Sequence, residues 1–177
     1  LQQAQNEFRA GRHDRADALL DRLATLRDPD PLDRLLRAQL ALATERFEEG
    51  LAQFSAIPGD HPIAPVARLL QGQVEAKLGR IPAAEAALLE AVALEPRYVQ
   101  ARRELAFIYS IQRRLPELDQ QLAALSSLGE LTPSYVLHWS KIRNVNWNYE
   151  KDLDNLRRFV EGDPSDRWSR LTLAEAM

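Results

Sequence analysis

Apolar residues return along this chain at helical spacing, in short stretches that Gly and Pro punctuate evenly. The stretch LGRIPAAEAALLEAVALEP, residues 78–96, is the clearest case. Gly79 and Pro82 open it, Pro96 closes it, and Ala84, Leu88 and Ala91 fall on one helical stripe. The same pattern predicts first helices near 1–10, 31–45, 64–78, 98–112, 133–145 and 165–176, and second helices near 13–26, 47–57, 82–94, 115–127 and 149–161. Pro31, Pro65 and Pro133 sit at or near first-turn positions, where a missing N–H costs nothing. Neither a linker nor a low-complexity segment interrupts the series.

The pattern has a fixed step of 34 residues. From Gly72 it lands on Ala106, Ser140 and Ala174 going forward and on Ala38 and Ala4 going back, all small. From Leu88 it reaches Leu20, Phe54, Leu122 and Leu156, all bulky and apolar. Ala91 maps onto Leu23, Ile57, Leu125 and Phe159, Ala84 onto Gly50 and Ala16, and Pro96 onto Pro62 and Pro164. No gap is needed anywhere. A small residue in the first helix of each unit lets the second approach closely, and the bulky residues fill the seam to the next unit. Pro ends the second helix because it lacks an N–H and clashes with the preceding turn. Two helices cannot bury their apolar faces alone, so such units stack on one another.

This resembles the tetratricopeptide repeat (TPR) family, whose unit is a helix–turn–helix of about 34 residues. With Pro65 as the first residue of its repeat, Gly72, Gly79, Ala84, Leu88, Ala91 and Pro96 match the family's motif, and the next repeat adds Leu105 and Tyr109. The resemblance covers essentially the whole chain. It implies an all-α solenoid of antiparallel helix pairs, wound as a right-handed superhelix and forming a single array, with repeats at about 1–30, 31–64, 65–98, 99–132 and 133–166 and a partial sixth at 167–177. Departures gather late in the chain. Arg113 stands where Gly is usual, Leu118 where Ala is usual and Glu130 where Pro is usual. Trp147 and Asp152 occupy the turn and the facing small position of the fifth repeat. Looser packing is expected there.

Composition narrows the function. The formal net charge of −3 speaks against a dedicated nucleic-acid binder, and the absence of Cys excludes disulfides and thiolate metal sites. No apolar run approaches the ~20 residues of a membrane span. Among the basic residues Arg outnumbers Lys twenty to three, which points to GC-rich codons and a bacterial source. The chain starts without Met and ends inside a predicted helix, as an excised piece of a longer protein would. A soluble protein of the cytoplasm or periplasm is expected. His13, His61 and His138 share no metal-ligand spacing and read as surface or interface residues. No phosphate loop, nucleophile elbow or dinucleotide fingerprint is present. The acidic residues read as solvated helix faces. No catalytic site, cofactor or metal is expected.

The resemblance places function on the first helices, which line a concave groove. Its lining residues would include Gln39, Gln73, Lys77, Arg103, Phe107, Lys141 and Asn144, with apolar Leu35, Leu69 and Leu137. Gln5, Gln39 and Gln73 are one repeat apart, and a Gln amide both donates and accepts, so such a ladder suits the backbone of an extended peptide. The basic residues favour a peptide carrying carboxylates. The family's dicarboxylate clamp is not matched at the start of the array, where Leu1, Gln5, Leu36, Val66 and Leu70 hold its sites. Trp147 and Trp168 are candidate contact anchors, since Trp is enriched at binding hot spots. The expected function is a non-catalytic scaffold that binds a protein or peptide. The alternatives are a homo-oligomer built through unpaired terminal repeats, or the recruiting arm of an enzyme whose catalytic domain lies elsewhere.

Overall fold

Each helix start and stop follows from a local backbone rule. In the computed structural model, which describes residues 1–143 and 149–176, eleven helices follow one another. They are α1 (Gln2–Arg9), α2 (His13–Ala24), α3 (Pro31–Ala43), α4 (Phe47–Ser55), α5 (Ala64–Lys77), α6 (Ile81–Leu94), α7 (Val99–Ile111), α8 (Leu115–Ser127), α9 (Pro133–Arg143), α10 (Tyr149–Gly162) and α11 (Arg167–Ala176). All eleven lie where the apolar period predicts them, within one or two residues at most ends. No strand occurs among the described residues.

The turns inside the helix pairs share one device. Gly11, Glu45, Gly79 and Arg113 are 34 residues apart, and all adopt the left-handed region, with φ of 71°, 58°, 75° and 55°. The amide after each reaches back five residues to a helix carbonyl: Arg12 to Glu7, Arg46 to Ala41, Arg80 to Glu75 and Arg114 to Tyr109. These are Schellman caps, which give the last carbonyls of the first helix their donors. Two of them are built without glycine. Arg113, marked by its sequence as a weak turn, therefore keeps the same geometry at the cost of side-chain strain. Glu130, where proline is usual, is served by Gly129 at φ 74°, and the Glu130 amide bonds Leu125 O at 2.9 Å.

Several helix starts are handled by proline, and α3 by a full capping box. Pro31, Pro65, Pro82 and Pro116 occupy first-turn positions. Asp30 accepts from the amides of Leu32 and Asp33, while the Asp33 carboxylate accepts from the Asp30 amide.

The chain divides into two compact units, residues 1–104 and 105–177, with the division inside α7. Within the first unit, antiparallel pairs pack as the small-residue positions require. A Cβ placed on Gly72 would lie 2.7 Å from Leu88 Cγ and 3.1 Å from the Ala84 carbonyl oxygen, so α5 and α6 approach to a distance only glycine permits. One placed on Gly50 would meet Leu42 Cδ2 at 2.9 Å. Ala38, Leu51, Phe54, Ile57, Ala64, Ala67 and Val74 form one buried cluster, and Ala4, Ala16, Leu20, Leu36 and Leu40 another. Burying a residue the size of Leu or Phe stabilises by roughly 1.5–3 kcal/mol. In the second unit Leu105, Ala106, Leu118, Leu125 and Leu156 are fully buried. Asp152 is buried where Ala16, Gly50 and Ala84 sit in the first three repeats and Leu118 in the fourth, which puts a carboxyl group into a seam otherwise held by apolar groups.

Candidate functional site

Helical spacing puts residues 32, 35 and 39 of α3 and residues 66, 73 and 77 of α5 on one stripe of each helix. The structure leaves this stripe open in the first unit. Leu32 and Val66, one repeat apart, are 43% and 38% exposed. Gln73 and Lys77 are exposed, and Leu35, Gln39 and Arg103 are half-buried. Leu69 is the exception: expected in the lining, it is buried and belongs to the core.

The amides behave differently from one another. Gln73 Nε2 already donates to Glu104 Oε1 at 3.1 Å, across to the next repeat. The Gln73 amide thus holds a carboxylate. Gln39 makes no such bond within the described residues. Lys77 Nζ lies 4.6 Å from the centre of the Phe47 ring. The face therefore carries an apolar rung, an amide rung and charges of both signs.

The second unit holds an aromatic cluster that the apolar pattern did not reveal. Trp168 meets Phe107, Tyr135 and His138 edge-on, with ring centroids 5.7, 4.7 and 4.9 Å apart. The Arg167 guanidinium lies 4.4 Å from the centre of the Phe107 ring. Trp168 is 3% exposed, which removes it from the surface anchors expected from its sequence position. The same position holds solvent-facing Leu32 and Val66 in earlier repeats, but a ring as large as indole folds back onto its aromatic neighbours. His138 is likewise fully buried and is no surface residue. Its Nδ1 bonds the Thr172 hydroxyl and its Nε2 bonds the Ser110 hydroxyl. Thr172 donates its own hydrogen to Trp168 O at 2.8 Å, so it accepts from Nδ1–H of the His138 ring. His13 and His61 are half-buried as expected of interface residues. Phe107 and Lys141 are half-buried, while Asn144 and Trp147 lie outside the described residues.

A further feature went unread in the sequence although its signal was there. Arg12, Arg46, Arg80 and Arg114 recur at the 34-residue step, each directly after the left-handed turn residue. Arg46 reaches Asp17 of the preceding repeat at 3.2 Å and Glu49 at 3.0 Å, and Arg80 pairs with Glu48 of the preceding repeat. Arg12 pairs with Glu7 and Arg114 with Glu117. The side-chain bond to Arg80 holds the Glu48 carboxyl below the usual carboxylate range, and Arg12 does the same to Glu7. In the first unit the ladder ties neighbouring repeats along one edge. Within the described residues no cluster of three His, Asp or Glu side chains is placed to hold a metal ion, and no helix is long and apolar enough to cross a membrane.

No family model and no curated protein matches the chain. Solved structures do. TTC0263, a thermophilic TPR protein of Thermus thermophilus, aligns over 99% of this chain and 96% of its own with a TM-score of 0.58 and 18% identity. PilW, a widely conserved type IV pilus biogenesis factor, aligns over 97% of this chain and 96% of its own with a TM-score of 0.54 and 20% identity. The fold is the all-α, TPR-type solenoid of antiparallel helix pairs.

Proposed function

We propose that the protein is a non-catalytic interaction scaffold, and that the first-helix face of residues 1–104 binds an extended, carboxylate-bearing peptide in the concave groove characteristic of this fold. One observation carries the reading: Gln73 already grips the Glu104 carboxylate on the open stripe beside exposed Leu32 and Val66. A peptide carboxylate or carbonyl replaces Glu104 there, its apolar side chains rest on Leu32 and Val66, and Lys77 and Arg103 supply the positive charge. Gln39 serves the peptide backbone one repeat earlier. Neutral hydrogen bonds of this kind contribute roughly 0.5–1.5 kcal/mol each and charged ones roughly 1.5–3.

The test is an array of extended peptides graded in carboxylate content, followed by calorimetric titration of the best binder. Lys77→Ala with Arg103→Ala should weaken binding by about 3 kcal/mol, and added salt should weaken the wild type. Gln39→Ala with Gln73→Ala should cost less and be indifferent to salt. Unchanged affinity in both double variants would move the binding surface off this face.

A further inference from the structure

Helix α6, in the middle of the first four repeats, is apolar on two opposite sides. Ala84, Ala87, Leu88 and Ala91 are buried against the core. On the other side Pro82, Ala83, Ala86, Leu89 and Ala93 are all exposed, Leu89 to 44%. The 34-residue step shows that the fold does not require this. At matching positions α2 carries Asp14, Arg15 and Asp21, α4 carries Glu48 and Glu49, α8 carries Glu117, and α10 carries Lys151, Asp154 and Arg157. A second helix needs one apolar face to close its pair, and the outer face is ordinarily charged. α6 keeps its outer face free of charge, and Glu90, at the side of that face, pairs with Arg68 at 2.8 Å.

We infer that this face is a dimer contact, and that its occupant is α6 of a second copy lying antiparallel. The residues match themselves under a two-fold axis. Pro82, Ala86, Leu89 and Ala93 are spaced by four, three and four, the seam spacing of two packed helices. With the axis passing between Ala87 and Leu88, Leu89 of each copy rests on Ala86 of the other and Pro82 on Ala93, larger against smaller at each level. The alanines let the helices approach to about 8 Å. Charge agrees with size. Glu85 comes opposite Val92, and Glu90 opposite Ala83, so no carboxylate meets its own copy. Arg80, ahead of α6, comes level with exposed Glu95 just past the end of the other α6. The outer face of any other second helix of this chain would instead leave charges unpaired against Leu89 and Ala86. The face of a 14-residue helix is about 21 Å long, short of a standard interface, so the dimer is weak and reversible.

The surface is separate from the amide-bearing stripe of α3 and α5 and does not depend on peptide binding there. Sedimentation equilibrium should find monomer and dimer in exchange, with half the chains dimeric at about 100 μM. Ala86→Glu should weaken the dimer about tenfold or more while the dilute monomer melts as the wild type does, because residue 86 is exposed. Glu95→Arg should weaken it less, and Lys77→Ala with Arg103→Ala should leave it unchanged. The register has its own readout, since the chain contains no Cys. Under mild oxidation, Ala86→Cys chains mixed with Leu89→Cys chains should form the mixed disulfide faster than either variant links to itself. A chain still monomeric at about 1 mM would leave the face to another protein and overturn the inference. So would a dimer indifferent to Ala86→Glu, or one in which residue 86 links fastest to residue 86, the mark of a parallel pair.

Discussion

At the residue scale, one atom decides whether a helix pair closes. Gly72→Leu places a whole side chain where even a Cβ sits 2.7 Å from Leu88, so overpacking should cost roughly 1–3 kcal/mol by chemical denaturation. The position was legible in advance because small residues recur there. The four left-handed turn residues make a paired test. A non-glycine residue at positive φ is strained by roughly 1–2 kcal/mol, offset in part by the roughly 0.5–1 kcal/mol entropy cost of glycine. Arg113→Gly and Glu45→Gly should therefore raise stability by up to about 1 kcal/mol, and Gly79→Ala should lower it by about as much. A melting temperature that moves the other way for Glu45→Gly would remove the strain argument. His138 was not legible. Its partners Ser110 and Thr172 come from other repeats, and a polar residue at helical spacing gives no sign of facing inward. His138→Ala should cost about 2–4 kcal/mol, since it opens a cavity and strips two buried hydroxyls of their partner.

At the element scale, helix boundaries were the most legible feature and the side chains that secure helix ends the least. Proline, glycine and the apolar stripe mark starts and stops by rules that act within a few residues. Arg68 acts over a longer distance. Buried between repeats, it donates to the carbonyls of Phe54 and Ile57, 2.8 and 3.1 Å away near the end of α4. Nothing local to α5 signals that a charged residue turns inward to serve another helix. Arg68→Met should cost about 2–3 kcal/mol, because two helix-end carbonyls lose their donor while half-exposed Glu90 falls back on water. The edge ladder has a pH signature instead. Arg80 lowers the Glu48 carboxyl in the folded chain, so its contribution is present above the unfolded carboxylate value and is lost as pH falls through the lowered folded value. Arg80→Ala should move the Glu48 titration midpoint, followed by NMR, up toward the ordinary carboxylate range. A midpoint that stays put would mean that the pair does not persist in solution.

At the scale of the whole molecule, the 34-residue phase runs through Glu104 and Leu105 unbroken, so nothing in the pattern marks the division found there. Period reads which faces are apolar; it does not read how strongly each seam holds. The candidate face was legible for the same reason, as a stripe on the first helices, whereas the Gln73–Glu104 bond across it was not, since it joins residues from two repeats. In a stack of repeats, stability is close to a sum of unit and nearest-neighbour terms, so damage should fade with distance along the chain. Gly72→Leu injures the α5–α6 crossing, and amide exchange measured on this variant should quicken most in residues 64–94. The neighbouring repeat at 31–55 should follow to a smaller degree. Protection in residues 151–172 should keep its wild-type value, because Leu156 and Thr172 belong to the other compact unit and to repeats that are not neighbours of the injured one. Equal loss of protection along the whole chain would mean that the repeats unfold as one cooperative body, and that the seams at Leu20, Phe54, Leu88, Leu122 and Leu156 act together.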